Sequence, residues 1–538
     1  MHLQRSIGAK LLLFWLFSAV AALAESGRPD LILPGTQPME HAFAFRPVAN
    51  CKLCHAGTTN GLADPFLSWQ GSMMGQAARD PVFRAALAVA NQDLPGSGEY
   101  CIRCHSPRAW LEGRSTAPDA SALKEDDLNG VSCDVCHHLV DPLSEEAKKL
   151  AKDVPPGRGD GMMVVDTERS QRGPYDEPKG MKMHGIRQSA YQGSSELCGT
   201  CHNVSNPTLA TNVALQPPHA FGHIERTYSE WALSDFATKG NLRSCQSCHF
   251  APVPGGGMAM KRASNYGDGH RDYFVSHNAV GGSTWVQDAV YRLWSHRDLD
   301  RAALDAGKEH AREFLKTAAA LGVQAREGKV LVTITNLTGH KLPTGYPEGR
   351  RMWLNVRFLD KDSSVIYEYG AYGETNALLS GTQVQVPTLL DPTTTRVYEC
   401  KPGISQSRCA KFQQSPGPSF HFILNDLITK DNRIPPRGFR NVAFAEHLAA
   451  PIGATYADGQ YWDVVEFPFP KEIKDPARPV VRVEVRLMYQ SVSWEYLKFL
   501  VEQNHTDSWG KKLYEAWTAT GKCAPSEMAV SARRLGGD

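Results

Sequence analysis

The stretch CDVCHH at residues 133–138 decides how this chain must fold. Two cysteines flank two residues, and two histidines follow directly. Cysteines with this spacing can hold half of a zinc site, form a redox dithiol or attach a haem. The histidine that directly follows the second cysteine favours haem attachment.

The pattern C-x-x-C-H occurs five times in the chain. In this motif two thiols add to the haem vinyl groups, and the histidine supplies the proximal nitrogen to iron. Five copies with the same offset make a chance match remote. The sequence therefore predicts five covalently attached haem c groups. The predicted attachment cysteines are Cys51, Cys54, Cys101, Cys104, Cys133, Cys136, Cys198, Cys201, Cys245 and Cys248, and the predicted proximal ligands are His55, His105, His137, His202 and His249.

Three cysteines lie outside the motifs. Cys400 and Cys409 are nine residues apart in CKPGISQSRC, and in an oxidising compartment we expect a local disulfide between them. Two unpaired buried thiols are the alternative. Cys523 has no evident partner.

The doubled histidine raises the question of the second axial ligands. His137 and His138 cannot reach one iron from opposite faces, because they are adjacent in the chain. The second ring can point at a neighbouring haem, so we predict His138 as an iron ligand there. The alternative is a solvated histidine beside the haem.

Three further histidines are predicted as distal ligands, each for a local reason. His184 lies fourteen residues before Cys198, which suits a loop that folds over a haem. His277 precedes a glycine pair, which permits close approach of the backbone to a ring. His340 lies in NLTGHKLPTGYPEGRRMW, where prolines and glycines indicate a tight loop that could project it from another domain.

Methionine is the other possible distal ligand. Met73 and Met74 lie in SWQGSMMGQAARDP between the first two motifs. A thioether ligand raises the haem potential relative to two histidines, whereas most methionines simply fill cores. Reserve candidates are His41, His219, His223, His270 and His296.

The N-terminus predicts export. LLLFWLFSAVAALA is an apolar run of 14 residues that ends in an A-x-A cleavage site, so residues 1–24 are predicted to be a secretory signal. We expect a periplasmic or cell-surface protein without a transmembrane segment in the mature chain. The formal charge of +1 gives no basic surplus, so no nucleic-acid partner is expected.

The rest of the chain predicts an α+β fold. Residues 25–285 hold all five motifs and predict a mostly helical and loop-rich multihaem domain. Residues 286–325 show helical spacing up to Gly322 and predict a helical connector. Residues 326–492 alternate apolar and polar positions, which predicts an antiparallel β-sandwich-like domain. Residues 493–538 return to helical spacing and predict a C-terminal helical tail.

Three phrases carry a family resemblance: W…SMM…A…DPVF, TYSEWALSDFA…CQSCH and GHKLPTGYPEGRRMWL. Together with the motifs they resemble exported multihaem cytochromes c, akin to the tetrahaem carrier cytochrome c of nitrifying bacteria with an added C-terminal β-domain. The resemblance implies closely stacked, mostly low-spin haems that pass single electrons. Related chains often carry histidine where Met74 stands, which implies Met74 rather than Met73 as the ligand.

Two classes of function follow from the motifs. The first is an electron carrier, with redox proteins as donors and acceptors. The alternative is a multihaem oxidoreductase that acts on a small nitrogen or sulfur compound at a five-coordinate haem. Some multihaem enzymes replace the proximal histidine by lysine, but all five motifs here end in histidine, which favours the carrier. The oligomeric state is left open.

Overall fold

The structure is a computed structural model, and it describes residues 31–57, 64–174, 183–210, 212, 215–238, 240, 242–250, 275–471 and 478–535. The predicted signal at residues 1–24 and the reserve candidate His270 lie outside the described residues. Within them, no helix is both long and apolar enough to cross a membrane.

The N-terminal half is built from short helices. Several begin at a capping side chain, such as Asp64, whose carboxylate accepts from the Leu67 amide at 2.7 Å. Isolated helices of this length are marginal in water, so packing must hold them in place. They are α1 Val48–His55, α2 Pro65–Gln70, α3 Pro81–Asp93, α4 Gly98–His105, α5 Pro107–Leu111, α6 Cys133–Cys136, α7 Ala147–Leu150, α8 Ser195–Gly199, α9 Thr227–Ala232 and α10 Cys245–His249.

Short strand pairs and 3₁₀ turns connect these helices. The strands form the pairs β1 with β2, β3 with β4 and β5 with β6. Their bounds are β1 Leu139–Val140, β2 Val164–Val165, β3 Ser170–Gly173, β4 Gly185–Gln188, β5 Val204–Ser205 and β6 His223–Glu225. The described 3₁₀ turns of this half are Arg114–Thr116, Glu125–Asn129, Ala190–Gly193, Pro207–Leu209, Pro218–Ala220 and Asp235–Ala237.

Two helices lead into the C-terminal half, which is mainly β. With these two, the described part of this half has six helices: α11 Val286–Trp294, α12 Arg301–Lys316, α13 Gln406–Phe412, α14 Asn441–Glu446, α15 Trp494–Glu502 and α16 Trp509–Ala519. The strands are β7 Ala319–Arg326, β8 Lys329–Asn336, β9 Arg351–Asp360, β10 Val365–Tyr369, β11 Tyr372–Leu379, β12 Thr382–Leu389, β13 Val397–Tyr398, β14 Cys400–Ile404, β15 Gly417–Pro418, β16 Leu427–Asp431, β17 Trp462–Pro468, β18 Val480–Gln490 and β19 Ser526–Arg534. Pro392–Thr394 is a 3₁₀ turn.

Two antiparallel sheets share one hydrophobic core in this half. One has the order β10-β9-β18-β19, with β13 also paired to β9, and the other has the order β17-β8-β7. β8 alternates half-buried and buried residues, as expected of a strand with one face on a core. Val332, Leu354 and Val485, from three different strands, are completely buried in the shared cluster. Smaller units are the β11-β12 hairpin and the sheet β15-β14-β16.

The predicted α+β class is confirmed as a mixture of helices and antiparallel sheets. Two details of the prediction are wrong. Gly322 does not end a helix: it lies inside β7, opposite Thr333. The predicted helical tail also contains a strand, β19, which pairs with β18. In both places pairing with a neighbouring strand overrides the local sequence preference.

The expected disulfide is also wrong, since Cys400 and Cys409 are both free and buried. Cys400 begins β14 and lies opposite Asp431, whereas Cys409 lies on α13, where its thiol donates to the Gln406 carbonyl at 3.2 Å. Cys523 is a third free, buried thiol, 3.5 Å from the Ser491 hydroxyl.

Candidate haem-binding site

The five predicted attachment motifs all lie on helical turns. Each motif forms part of α1, α4, α6, α8 or α10 or directly follows it. A helical turn places residues i and i+3 on the same face, so both thiols of each motif point to one side. This local geometry is what a two-point attachment to one planar group requires.

All five motifs open into one cavity of about 2230 Å³. Its lining includes all ten motif cysteines and all five motif histidines. An ordinary small-molecule pocket measures about 300–1,000 Å³, so this cavity has room for several large groups. The motifs are therefore brought together although they are spread over 199 residues, from Cys51 to His249.

Thiols of different motifs touch inside the cavity. Cys51 of the first motif hydrogen-bonds to Cys133 of the third. Cys198 of the fourth motif bonds in the same way to Cys245 of the fifth. A third contact joins Cys104 of the second motif to the fourth at Cys201. Groups attached at these sulfurs are therefore neighbours.

The third and fourth motifs are also close. Cys136 of the third motif lies near enough to Cys198 of the fourth to contribute to the raised pKa of that thiol. The attachment points thus form a row through motifs one, three, four and five, and motif two joins the row at motif four.

Three pairs of histidine rings face each other across the cavity. The ring centres of His55 and His184 are 6.4 Å apart, with an angle of 27° between the rings. The pair His137 and His277 has a separation of 6.3 Å and an angle of 25°. The third pair is His249 and His340, whose ring centres are 6.3 Å apart with an angle of 30° between the rings. His340 lies in the loop that follows β8, far from His249 in the sequence.

This separation fits a metal ion between the rings. Metal–imidazole bonds are about 2.0–2.1 Å long and the nitrogen lies about 1.1 Å from its ring centre, so two rings on opposite sides of one metal are about 6.3 Å apart. Two imidazoles supply only two ligands, and the porphyrin of a haem supplies the other four. The residues present therefore fit haem at motifs one, three and five.

Hydrogen bonds hold the rings in a ligating orientation. The Nδ1 atoms of His137 and His249 lie 2.6 Å from the Arg172 carbonyl and 2.5 Å from the Val280 carbonyl. An Nδ1–H that donates to a carbonyl leaves Nε2 as the free ligand atom. The facing rings are held likewise: Nδ1 contacts a carbonyl at 3.0 Å in His184, 3.3 Å in His277 and 3.0 Å in His340.

Burial keeps several of these rings neutral. It lowers the pKa of His105, His249 and His277 to about 4 in each case. Burial also lowers the pKa of His137 and that of His340. Neutral imidazole is the form that binds a metal, so at neutral pH these rings need not lose a proton first.

His202 is different, because a carboxylate holds its ring. Its Nδ1 lies 3.2 Å from Glu225 Oε1. Burial alone would lower the pKa of His202, but the hydrogen bond and the charge of Glu225 outweigh it and raise that pKa to about 9. A carboxylate behind a ligating histidine orients the ring and increases its basicity as a ligand.

Two motif histidines have no such partner ring. The described histidines that line the cavity are the five of the motifs together with His184, His277 and His340. His105 stacks instead on Phe83, with ring centres 3.9 Å apart and an angle of 3°. Among the described residues, no histidine faces His105 or His202 in the way seen at the other three motifs.

His138 lies elsewhere. It does not line the cavity, and its buried ring contacts Phe43 at 4.8 Å and Phe45 at 6.0 Å. Its Nδ1 lies 2.6 Å from the Asp134 carbonyl. Its Nε2 is buried without a hydrogen-bond partner, and its role as an iron ligand stays a prediction.

The remaining candidates are dispersed. Met73 and Met74 both line the cavity, and the Met74 carbonyl accepts from the Val131 amide just before the third motif. The structure gives the Met74 thioether no ring opposite it, and its role as a ligand stays a prediction. Of the reserve histidines, His41 contacts Phe45, His219 stacks on His447, His223 lies half-buried on β6 and His296 stacks on Trp294.

Sequence reasoning missed the polar residues around the rings. Glu225 is the last residue of β6, and only its distance to His202 reveals its role. Tyr346 and Glu348 lie in the same loop phrase as His340, and both line the cavity. The only sequence signal was their position in the same Pro/Gly-rich loop as His340. An acidic residue in such a loop is ordinarily expected to be exposed to solvent.

Comparison with known proteins adds one weak likeness. No protein-family model matches the chain, and no curated protein matches it. Among solved structures, the chain is similar to a penta-heme cytochrome c552 from Thermochromatium tepidum, with 16% sequence identity and a TM-score of 0.49. The match covers 91% of this chain and 100% of the other. At this TM-score the likeness is too low to establish a shared fold or function.

Proposed function

We propose that this chain is an exported pentahaem cytochrome c that passes single electrons between redox proteins. The observation that carries the proposal is the convergence of five C-x-x-C-H motifs on one cavity. The ten cysteines would hold the haems, and each haem would supply an iron that exchanges one electron at a time.

The facing rings supply the axial ligands in this proposal. The pairs are His55 with His184, His137 with His277 and His249 with His340. Contacts at Nδ1 and neighbouring side chains hold these rings before any metal binds. The rings would therefore move little when the charge of the iron changes. Ligation by two histidines leaves no open position, as suits electron transfer rather than catalysis.

The contacts between motifs support a continuous route. Because sulfurs of different motifs touch, consecutive haems would be attached at adjacent points along the row of motifs one, three, four and five. Motif two would branch from motif four through Cys104 and Cys201. The protein's part is to keep these attachment points close and to exclude water from them.

The setting of this function is part of the proposal. Haem attachment of this type takes place outside the cytoplasm, in agreement with the signal expected at residues 1–24. The partners would be soluble or membrane-bound redox proteins, met through small transient interfaces. The sequence resemblance to the tetrahaem carrier of nitrifying bacteria supports the same role.

The test is a haem count combined with removal of single histidines. The purified protein should contain five haems per chain. Replacing His184, His277 or His340 by alanine should each convert one low-spin haem to high-spin in the electron paramagnetic resonance spectrum.

The control is His296→Ala, since His296 lies outside the cavity. It should leave the spectrum unchanged. A haem count below five, or three alanine variants with native spectra, would refute the proposal.

A further inference from the structure

A small group of buried polar side chains lines the cavity without an assigned role. Glu348 is 4% exposed and Tyr496 is 1% exposed, and both line the cavity with Tyr346. The hydroxyls of Tyr346 and Tyr496 are 3.1 Å apart. Glu348 Oε1 is buried and has no hydrogen-bond partner. We call these three residues the acid–tyrosine cluster.

This cluster lies at the second motif. Tyr346 and Tyr496 pack in the same apolar group as Ala85 and Val89 of α3. The same helix carries Phe83, which stacks on the ring of His105. The cluster is therefore packed against the helix that supports the proximal histidine of the second motif.

Electrostatics connect the cluster to the same motif. Burial raises the pKa of Tyr346 well above its usual value, and Tyr496, Glu348 and Cys101 lie near enough to raise it further. Cys101 is the first attachment cysteine of the second motif, and His105 lacks a facing histidine among the described residues. The cluster thus lies beside a haem position at which no second ring is seen.

The cluster offers hydrogen-bond donors. Burial raises the pKa of Glu348 well above its usual range, which favours the neutral carboxyl group, the form that can donate a hydrogen bond. In the tyrosine pair one hydroxyl donates to the other, which leaves one O–H free to donate. Arg350 lines the same cavity; one nitrogen of its guanidinium donates to the Thr344 carbonyl, and its Nε has no partner.

Donors of this kind match a ligand with several acceptor oxygens. A buried acid without a partner lowers stability, and a native protein that keeps one often does so for function. A small oxyanion would accept from Glu348, from the tyrosine pair and from a guanidinium, and it would satisfy all of them. An apolar ligand would satisfy none of these groups.

We propose that Glu348, Tyr346 and Tyr496 bind a small oxyanion beside the haem of the second motif. This inference rests on the proposed function, because it needs a haem at Cys101 and Cys104. It adds a ligand-binding site to the electron route, at the motif that branches from the row.

The test uses the haem-loaded protein and nitrite as the probe. The native protein should show a high-spin signal from about one haem, and nitrite should convert that signal to low-spin in a saturable titration. Glu348→Met removes the donor at similar length, and we expect it to weaken nitrite binding about tenfold or more. Tyr346→Phe removes one hydroxyl of the pair and should weaken binding in the same direction.

Two further variants separate donation from structure. Glu348→Gln keeps a donor, so it should retain most of the nitrite affinity. Tyr398→Phe removes a buried hydroxyl that donates to Asp463 outside the cavity, and it should leave nitrite binding unchanged. If the Glu348→Met variant does not fold, the nitrite affinity of Tyr346→Phe compared with that of Tyr398→Phe tests the proposal.

Three results would overturn the proposal. They are a wholly low-spin spectrum, an absence of nitrite binding, and native nitrite affinity in both Glu348→Met and Tyr346→Phe. A count of five haems in the same sample would then leave the electron-transfer function standing. A count below five would refute the underlying function instead.

Discussion

The two halves of the molecule are stabilised in opposite ways. In the C-terminal half, β8, β9 and β18 bring completely buried side chains such as Val332, Leu354 and Val485 into one core. In the N-terminal half, short helices surround a cavity of about 2230 Å³. The C-terminal half is centred on a core of its own side chains, whereas the N-terminal half, besides a cluster that includes Ile102 and Val135, surrounds a cavity that the proposed haems would fill.

Helix length sharpens this contrast. The helices α6 and α8, which carry attachment motifs, have four and five residues. Isolated helices shorter than about 12–15 residues are marginal in water. Covalent attachment at two cysteines per haem would therefore hold these turns where the chain alone supplies few contacts.

The largest expected effect is the loss of haem. Chain expressed in the cytoplasm without residues 1–24 should lack attached haem, and its N-terminal half should not fold stably. Hydrogen exchange should then be fast in α1, α4, α6, α8 and α10 but slow in β9 and β18. Equal protection of both halves in the haem-free chain would contradict the contrast.

The second prediction concerns the joint between the halves. The buried Asp431 carboxylate binds Lys341 Nζ at 2.6 Å and Arg433 Nη2 at 2.6 Å. Glu230 on α9 accepts from the Lys341 amide at 3.1 Å and so ties this network to the N-terminal half. Asp431→Asn leaves the buried Lys341 without its anion and leaves Arg433 with only Glu230, 3.3 Å away, so it should cost about 3–5 kcal/mol of stability.

The same carboxylate predicts a dependence on pH. Burial alone would raise the pKa of Asp431, but the charges of Arg433 and Lys341 outweigh it and hold that pKa well below its usual range. Its stabilisation is therefore present above the unfolded-state pKa of about 3.9 and is lost as the pH falls below it.

The melting temperature measured between pH 3 and pH 7 tests this effect. In the Asp431→Asn variant the melting temperature should fall less steeply as the pH decreases. Because His340 directly precedes Lys341, the variant should also increase the high-spin signal by up to one haem. Glu466→Gln is the control, since its exposed pair with Lys329 should contribute only about 0–1 kcal/mol. Native stability of Asp431→Asn at neutral pH would show that the network does not join the halves.

The smallest expected effect on the haem spectrum comes from the β core. Leu487 is completely buried between the two sheets, so Leu487→Ala should cost about 2–5 kcal/mol. Circular dichroism should show the lower melting temperature of the β half, while the low-spin spectrum at 25 °C stays native. The exposed Val530 on the neighbouring strand provides the control, because Val530→Ala should change stability by about 0.5 kcal/mol at most.

The five C-x-x-C-H motifs can be recognised from the sequence because the pattern is local. Five residues in a row specify attachment, and no tertiary contact is needed to recognise them. The rings of His184, His277 and His340 also follow from local signals: a loop of suitable length, a glycine pair and a rigid turn. Which motif each ring would face did not follow, because His340 reaches His249 through the folding of a separate domain.

The errors have physical causes of the same kind. The chain at β7 has helical composition, but pairing with β8 decides its conformation. The tail forms β19 because β18 has a free edge there.

The place of β19 at the end of the chain has a consequence for biogenesis. β18 lies between β9 and β19, so this sheet is completed only after residues 526–534 have emerged. The first motif emerges at residue 51, long before that moment, and domains tend to fold from the N-terminus as the chain appears. The proposed haem attachment would therefore begin before the β half closes, and His249 would meet His340 only once β8 and the loop after it have folded.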